Sequence, residues 1–153
     1  VTQWFPTAGT DPATETVDTS TTKGAALADW LMLPGVAGST QRGQLVIGGA
    51  RYSVASIDPK LTQRWVYYPQ SATVQIPQYF SFNAPVGAQA SAQCGQMVLT
   101  DLHISGGGSS PMDSSPTGGT FPTSCVSNTL SPQEKALIFM LFDLTNCLTP
   151  IVG

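Results

Sequence analysis

The sequence predicts a mixed α/β (or α+β) domain in which a buried central strand over residues 96–104 is packed by a C-terminal helix over residues 132–145. Two patterns lead to this prediction. The run from Gln96 to Ile104 carries apolar side chains on both faces of an extended chain, as strands do when layers cover both sides of a sheet. The helix opens with a capping box and continues with an almost unbroken apolar body, which is typical of a core helix.

The amino-acid composition indicates one domain with a weakly charged surface. The chain has 153 residues, enough for a substantial core, and only 10% of them are charged, against about 25% in a typical soluble domain. Neutral polar side chains supply the hydrophilic surface, a composition more common outside cells than in the cytosol. We therefore expect an extracellular or cell-surface protein, and the start at Val1 rather than Met predicts a processed product or part of a longer precursor.

The same totals argue against several classes of partner and cofactor. Six scattered Lys and Arg residues and a net charge of −3 do not form the clustered basic surface that nucleic-acid binding requires. The longest apolar run, Ala136 to Phe142, is far shorter than the roughly 20 residues of a membrane span. With one His and no C-x-x-C pair, we expect no metal site and no cofactor.

The N-terminal part of the chain is expected to hold a lead-in and one helix. Residues 1–22 are rich in Thr and predict an extended lead-in, and residues 23–153 are expected to form a single α/β domain. A helix should run from about 23 to 33 with Thr21 or Thr22 as its N-cap, because apolar residues recur there at helical spacing before a Pro-Gly pair.

Four strand-like runs follow this helix, at residues 44–47, 51–57, 63–68 and 73–82. They are marked by β-branched and aromatic residues, by alternation of apolar and polar side chains, or by Gly and Pro turn signals at their ends. Pro77 lies inside the fourth run. Because Pro has no backbone N–H to donate, it requires an edge position or a bulge in that strand.

The C-terminal helix has the strongest local signal in the chain. Ser131 is the predicted N-cap, Pro132 occupies the first helical position, and Glu134 completes the S-x-x-E capping box. A Gly/Ser/Pro-rich segment over residues 105–124 separates this helix from the preceding strand.

The three cysteines allow one disulfide and leave one thiol over. If the C-terminal helix returns antiparallel across the preceding strand, Cys147 comes back near Cys94, so we favour a Cys94–Cys147 disulfide. Such a bridge would add about 2–4 kcal/mol to the stability. Cys125 would then be free or bonded to a partner, and the rival pairing is Cys125–Cys147.

Asp101, His103 and Cys125 are the candidate catalytic residues. Asp101 and His103 share one strand face at the C-terminal end of the strand, where α/β sheets place their ligands. Cys125 is expected at the same end, where it could act as a nucleophile beside an Asp–His dyad. The alternative is a structural His that donates a hydrogen bond at a strand end.

Trp65 and Tyr67 are the candidate ligand-binding residues. A regular strand over 63–68 places both on one face, where they could form a platform for sugar rings while Gln63 or Arg64 supplies hydrogen bonds. The alternative is that both aromatic side chains belong to the core.

Several segments taken together carry a resemblance to a known group of proteins: 23–31, 63–67, 82–87, 94–103, 121–125 and 131–147. The series resembles the C-terminal portion of large secreted bacterial proteins of unassigned function that often carry a carboxypeptidase-regulatory-like domain. Its closing strand and helix resemble the last βα unit of class I glutamine-amidotransferase-like, trehalose-utilisation-type domains. The resemblance implies the C-terminal half of a three-layer α/β domain, although Gln96 stands where an Arg is common and no nucleophile elbow is present.

These observations predict a secreted or cell-surface bacterial domain, non-catalytic, that acts in binding or as a structural component of an extracellular assembly. Its expected partners are other copies of the chain, the upstream part of the same precursor, or a glycan. The alternatives are an amidotransferase-like or hydrolase enzyme with a site near His103, and a carbohydrate-binding module that uses Trp65 and Tyr67.

Overall fold

The computed structural model describes residues 12–101 and 130–144, which form a mixed α/β structure with a curled, five-stranded antiparallel sheet and two α-helices. The strands are β1 (Ala13–Val17), β2 (Gln44–Ile47), β3 (Thr62–Pro69), β4 (Gln75–Ala84) and β5 (Gly95–Thr100), and the helices are α1 (Thr22–Leu31) and α2 (Pro132–Leu144). A short 3₁₀ helix at Ala90–Ala92 precedes β5. The strand order is β2-β1-β3-β4-β5, and each neighbouring pair is antiparallel.

Both helices share one hydrophobic core with the sheet. The buried members of this core are Ala13, Val17, Leu27, Ala28, Leu31, Leu45, Ile47, Ala50, Trp65, Val66, Tyr79, Ala136 and Met140. The helices run antiparallel to each other, since Lys23 Nζ at the start of α1 lies 2.8 Å from Asp143 Oδ1 at the end of α2. The described residues therefore form two layers, one of helices and one of sheet.

The helix predicted over residues 23–33 is confirmed as α1. Thr21 is its N-cap, and Thr21 Oγ1 accepts a hydrogen bond from the backbone N–H of Gly24 at 3.1 Å. Leu27 and Leu31, one turn apart, are fully buried. The stop signal is correct in kind, although the helix ends two residues earlier than the pattern indicated.

Part of the predicted lead-in over residues 1–22 is a strand of the sheet. Residues 13–17 form β1, which pairs with β2 on one side and with β3 on the other. Ala13, Glu15 and Val17 alternate toward the core. A hydrophobicity pattern misses this strand because a Glu occupies one of its core-facing positions.

Three of the predicted strands are confirmed as β2, β3 and β4, whereas the strand predicted over 51–57 is wrong. Only isolated bridge residues occur within that range. The backbone N–H groups of Ser53 and Val54 donate instead to the carboxylate of Asp101. A side chain thus accepts the hydrogen bonds that a partner strand would otherwise take.

β5 is not the buried central strand that was predicted over residues 96–104. Among the described strands it is last in the order, none of its residues is fully buried, and the Met97 side chain is 55% exposed. Val98 packs against the core from one face of β5. Apolar side chains on both faces therefore do not distinguish this end strand from a central one.

Two irregularities in the β3–β4 ladder change which side chains face the core. Arg64 pairs with Phe80 and Val66 pairs with Tyr79, so Trp65 is an extra residue on β3. One pair further along, Tyr67 pairs with Pro77, which leaves Gln78 as the extra residue on β4. The bulge predicted for Pro77 is thus present beside it.

The capping box of α2 is confirmed. The backbone N–H of Ser131 donates to Glu134 Oε2 at 2.7 Å, and the N–H of Glu134 donates to Ser131 Oγ at 3.3 Å. Pro132 is the first helical residue, as predicted. The reciprocal pair satisfies two backbone N–H groups that a helix N-terminus would otherwise leave without a partner.

The apolar body of α2 predicted a helix that is buried on more than one side, whereas the structure buries only one stripe of it. Its buried residues are Gln133, Ala136, Met140 and Asp143. The opposite face carries Leu141, which is 51% exposed, and Phe142, which is 67% exposed. Two polar side chains thus lie on the buried stripe of the helix and two large apolar ones lie outside it.

Specific hydrogen bonds explain why a Gln lies on the buried stripe of α2. Gln133 Oε1 accepts from the backbone N–H of Gly48 at 2.8 Å, and Gln133 Nε2 donates to the Gly48 carbonyl at 3.2 Å. The Tyr79 hydroxyl donates to the Gln133 carbonyl at 3.1 Å. These bonds fix the start of α2 to the end of β2 and to β4, and hydrophobic periodicity contains no information about them.

The three-layer, amidotransferase-like arrangement is not confirmed, because both helices belong to one layer and every described strand pair is antiparallel. Within residues 12–101 and 130–144, neither helix has the length and apolar character of a membrane span.

Glu15 is an acidic side chain inside the core. It is fully buried on β1, and neither of its carboxyl oxygens has a hydrogen-bond partner within the described residues. Burial raises the pKa of Glu15 from 4.5 to about 8, because the core disfavours the charged form.

Replacing Glu15 by Gln should remove a pH dependence of stability. The folded-state pKa is raised, so the contribution of Glu15 is fully present below pH 4.5, where both states are protonated, and it is lost as the pH rises toward about 8. The free energy of unfolding should fall by roughly 3–5 kcal/mol across this window in the wild type, because each pKa unit corresponds to about 1.4 kcal/mol. Glu15→Gln should be nearly flat there by urea unfolding.

The matched control is Asp29→Asn, which removes a carboxylate that is 65% exposed and should keep the wild-type slope. A Glu15→Gln protein with the same slope as the wild type would show that Glu15 ionises normally in the folded state.

Candidate functional site

A cleft of about 730 Å³ is lined in part by the first residues of β3 and by the first residues of β4. Its walls come from residues within 18–21, 55–59, 62–64 and 73–77. We call it the β3–β4 cleft. Its volume lies in the range of small-molecule binding sites, about 300–1,000 Å³.

An ion pair with two further polar partners lies in this cleft. Arg64 Nε donates to Asp18 Oδ2 at 2.7 Å, and Arg64 Nη1 donates to Gln75 Oε1 at 2.6 Å. The other carboxylate oxygen of Asp18 accepts from the Ser20 hydroxyl at 2.6 Å. The backbone of the turn before α1 is thereby connected to both strands of the cleft.

The Asp18 carboxyl is held in its ionised form. Burial alone raises its pKa, but hydrogen bonds from Ser20 and Arg64, together with the positive charge of Arg64, outweigh burial and lower the pKa below its ordinary value. Asp18 therefore acts in the cleft as a hydrogen-bond acceptor and a counter-charge, and it has no proton to donate near neutral pH.

The bulge at Trp65 determines the position of Arg64. In a regular strand Arg64 and Val66 would share one face, and Val66 is fully buried in the core. The extra residue instead places Arg64 on the same face as Tyr67, with its guanidinium carbon 4.0 Å from the centre of the Tyr67 ring. This cation–π contact and the bond to Asp18 hold the guanidinium in the cleft.

The N-terminus of α1 forms a second polar part of the wall. Thr21 Oγ1 accepts from Gln63 Nε2 at 2.9 Å as well as from the Gly24 backbone. Gly24 is required here because a Cβ at this position would lie 1.9 Å from the Asp18 carbonyl oxygen. The close approach keeps the turn, the helix cap and β3 together.

The wall formed by residues within 55–59 follows residues 51–54, whose backbone is held by side chains that do not line the cleft. Asp101 Oδ2 accepts from the backbone N–H groups of Ser53 at 2.7 Å and Val54 at 3.2 Å. Gln78 Nε2 donates to the Arg51 carbonyl at 2.6 Å. Gln78, the extra residue of the β4 bulge, and Asp101, which follows β5, thus hold the segment that leads into this wall of the cleft.

Of the three candidate catalytic residues, only Asp101 lies within the described part of the chain. Its side chain is 4% exposed and is occupied by two backbone N–H groups, which is a structural use of the carboxylate. His103 and Cys125 lie outside the described residues, so an Asp–His–Cys site near the end of β5 stays a prediction.

The Cys94–Cys147 disulfide also stays a prediction. Cys94 is a free and exposed cysteine in this structure. Cys147, its predicted partner, lies outside the described residues, as does Cys125 of the rival pairing.

The structure does not bring Trp65 and Tyr67 together on one face, because the bulge places the two rings on opposite faces of β3. Trp65 is fully buried, and its Nε1 donates to Ser81 Oγ at 2.9 Å. Tyr67 is half-buried and lies against Arg64. The two hydrogen-bonding residues proposed with them, Gln63 and Arg64, do lie in the cleft.

Asp18 and Gln75, the two side chains that accept hydrogen bonds from Arg64 in the cleft, were not identified as candidates from the sequence. The only local sequence signal at Asp18 is its position just before the N-cap of α1, where polar side chains are common. Among the described residues, no three His, Cys, Asp or Glu side chains come together as a metal site.

Replacing Asp101 by Ala should destabilise the protein through the cleft wall. Two backbone N–H groups would lose their acceptor, and since each buried group left without a partner costs about 1–3 kcal/mol, we expect a loss of about 3 kcal/mol in the free energy of unfolding. Because Oδ2 alone accepts both bonds, Asp101→Asn can keep the acceptor and should lose clearly less stability than Asp101→Ala. Denaturant titration measures both.

Asp58→Ala is the control, because Asp58 is exposed and accepts one backbone hydrogen bond from Lys60 within its own turn. If Asp101→Ala were no less stable than Asp58→Ala, the role of Asp101 in holding the 53–54 backbone would be wrong.

Comparison with known proteins gave no match to any family model, curated protein or solved structure. The resemblance to secreted bacterial proteins therefore stays a prediction, and the β3–β4 cleft is the feature from which a function can be argued.

Proposed function

We propose that this chain is a secreted or cell-surface binding domain without catalytic activity of its own, and that its ligand occupies the β3–β4 cleft. The observation that carries the proposal is the set of polar side chains already held in place there by Asp18 and Arg64. The weakly charged composition supports the extracellular location, with 10% charged residues.

The cleft is prepared for binding because its main donor is fixed before a ligand arrives. The Arg64 guanidinium has five N–H donors, and its bonds to Asp18 and Gln75 use two of them. The other three have no partner among the described residues. An already ordered donor loses little conformational entropy on binding, which favours affinity.

The groups that line the cleft are suited to recognition rather than to bond cleavage. Its described lining contains no His, Cys, Lys or Glu, and the one carboxylate, Asp18, is ionised and paired with Arg64. A general acid or an activated nucleophile needs a proton or a base within hydrogen-bond reach. None is found in the described lining of this cleft.

The remaining alternatives lie elsewhere in the chain. A hydrolase or amidotransferase-like activity depends on His103 and Cys125, and a three-layer domain needs a further layer beyond residues 12–101 and 130–144. A structural role in an assembly of copies of this chain is favoured by the exposed Leu141 and Phe142 on α2. Light scattering tests that role, which requires more than a monomer.

Arg64→Met should weaken binding in the cleft. The substitution keeps a long side chain but removes the charge and all donors, and hydrogen bonds from charged groups contribute about 1.5–3 kcal/mol, so affinity should fall at least about tenfold. The measurement is an amide NMR titration of the ¹⁵N-labelled protein with neutral hexasaccharides, acidic hexasaccharides and a Gly/Thr hexapeptide. At least one class should shift amides within 18–21, 55–59, 62–64 and 73–77.

Arg42→Met is the matched control, since Arg42 forms an ion pair with Asp29 at 2.6 Å and is not part of the cleft lining. It should bind like the wild type. The proposal fails if no class of probe shifts the cleft amides, or if Arg42→Met loses affinity as strongly as Arg64→Met.

A further inference from the structure

We infer that the ligand of the β3–β4 cleft is a neutral saccharide. This inference rests on the proposed function, because it names the class of ligand for the same site. Charge balance favours this class over an anionic ligand, and the hydrogen-bonding groups and the apolar surface of the cleft both suit it.

The charges in the cleft cancel. Asp18 and Arg64 are the only charged side chains in its described lining, and Arg64 Nε lies 2.7 Å from Asp18 Oδ2. An anion attracted by Arg64 is repelled by Asp18 at almost the same distance, so it gains little net Coulomb energy to offset the loss of its hydration. A neutral ligand has no such cost.

The uncharged polar groups match the chemistry of sugar hydroxyls. Five hydroxyl side chains and two amide side chains line the cleft beside the ion pair. Each hydroxyl both donates and accepts, the amides of Gln63 and Gln75 do the same, and the spare N–H groups of Arg64 donate. A sugar hydroxyl also donates and accepts, and a site of mixed donors and acceptors can satisfy both functions at once.

An apolar surface adjoins the polar groups. Val74 is 44% exposed, and Ile57, Pro59 and Pro77 line the same cleft. The C–H faces of a sugar ring can pack against such aliphatic side chains while the hydroxyls at the ring edge reach Arg64 and Gln75. Burying apolar area in this way contributes about 25 cal/mol per Å².

The test compares saccharides that differ only in charge. Neutral hexasaccharides of glucose, mannose, galactose and N-acetylglucosamine are each paired with the same backbone oxidised to a carboxylate at C6, and a Gly/Thr hexapeptide is included. With the wild-type protein, at least one neutral hexasaccharide should shift the cleft amides and bind at least about tenfold more tightly than its oxidised partner.

Asp18→Asn should reverse this preference. The amide can still accept from Arg64, but the charge of Arg64 is no longer balanced, so the oxidised partner should bind more tightly than the neutral form. Asp29→Asn removes the carboxylate of the surface ion pair with Arg42 and should keep the wild-type preference. The wild-type comparison stands by itself if Asp18→Asn does not fold.

The outcomes separate this inference from the proposed function. Tighter binding of the oxidised forms by the wild type, or cleft shifts caused by the peptide alone, would overturn the saccharide inference and keep the cleft as a binding site. The absence of cleft shifts with every probe would overturn both.

Discussion

The extra residue at Trp65 is the constraint on which both the core and the cleft depend. A regular β3 would place Arg64 on the same face as Val66, which is fully buried, and an unpaired charge in the core would cost several kcal/mol. With the bulge, Trp65 and Val66 both enter the core, and Trp65 donates to Ser81 across the ladder. Arg64 can then reach Asp18 on the other face.

Carboxylates in this chain serve distinct structural purposes according to their surroundings. Asp18 is ionised beside Arg64 and orders the cleft, and Asp101 accepts hydrogen bonds from the backbone N–H groups of Ser53 and Val54. Asp143 pairs with Lys23 and joins the two helices. Glu15 has no such partner in the described residues, and its raised pKa follows from that difference.

Local signals were sufficient to predict the parts of the fold that depend on neighbouring residues. The Ser131–Glu134 capping box, the Thr21 cap of α1 and the irregularity beside Pro77 all follow from interactions within a few residues, and each is confirmed. These features require only the geometry of a helix end or the missing N–H of proline.

The cleft could not be predicted in the same way, because it depends on a one-residue offset in strand register. Strict alternation assigns Trp65 and Tyr67 to one face, and a single extra residue moves them to opposite faces. The buried Gln133 is equally invisible to a hydrophobic pattern, since its partner Gly48 is 85 residues away. Gln63 and Arg64 were identified as hydrogen-bonding companions of Trp65 and Tyr67, and they line the cleft, whereas the two rings lie on opposite faces of β3.

The most direct test of the central claim is to locate a bound neutral saccharide by intermolecular nuclear Overhauser effects to methyl groups of the protein. Val74 and Ile57 line the cleft, whereas Ile138 and Leu141 lie on α2, outside its lining. We predict contacts from the C–H protons of the sugar ring to the methyl groups of Val74 and Ile57. Contacts confined to Ile138 and Leu141 would contradict the assignment of the β3–β4 cleft as the binding site.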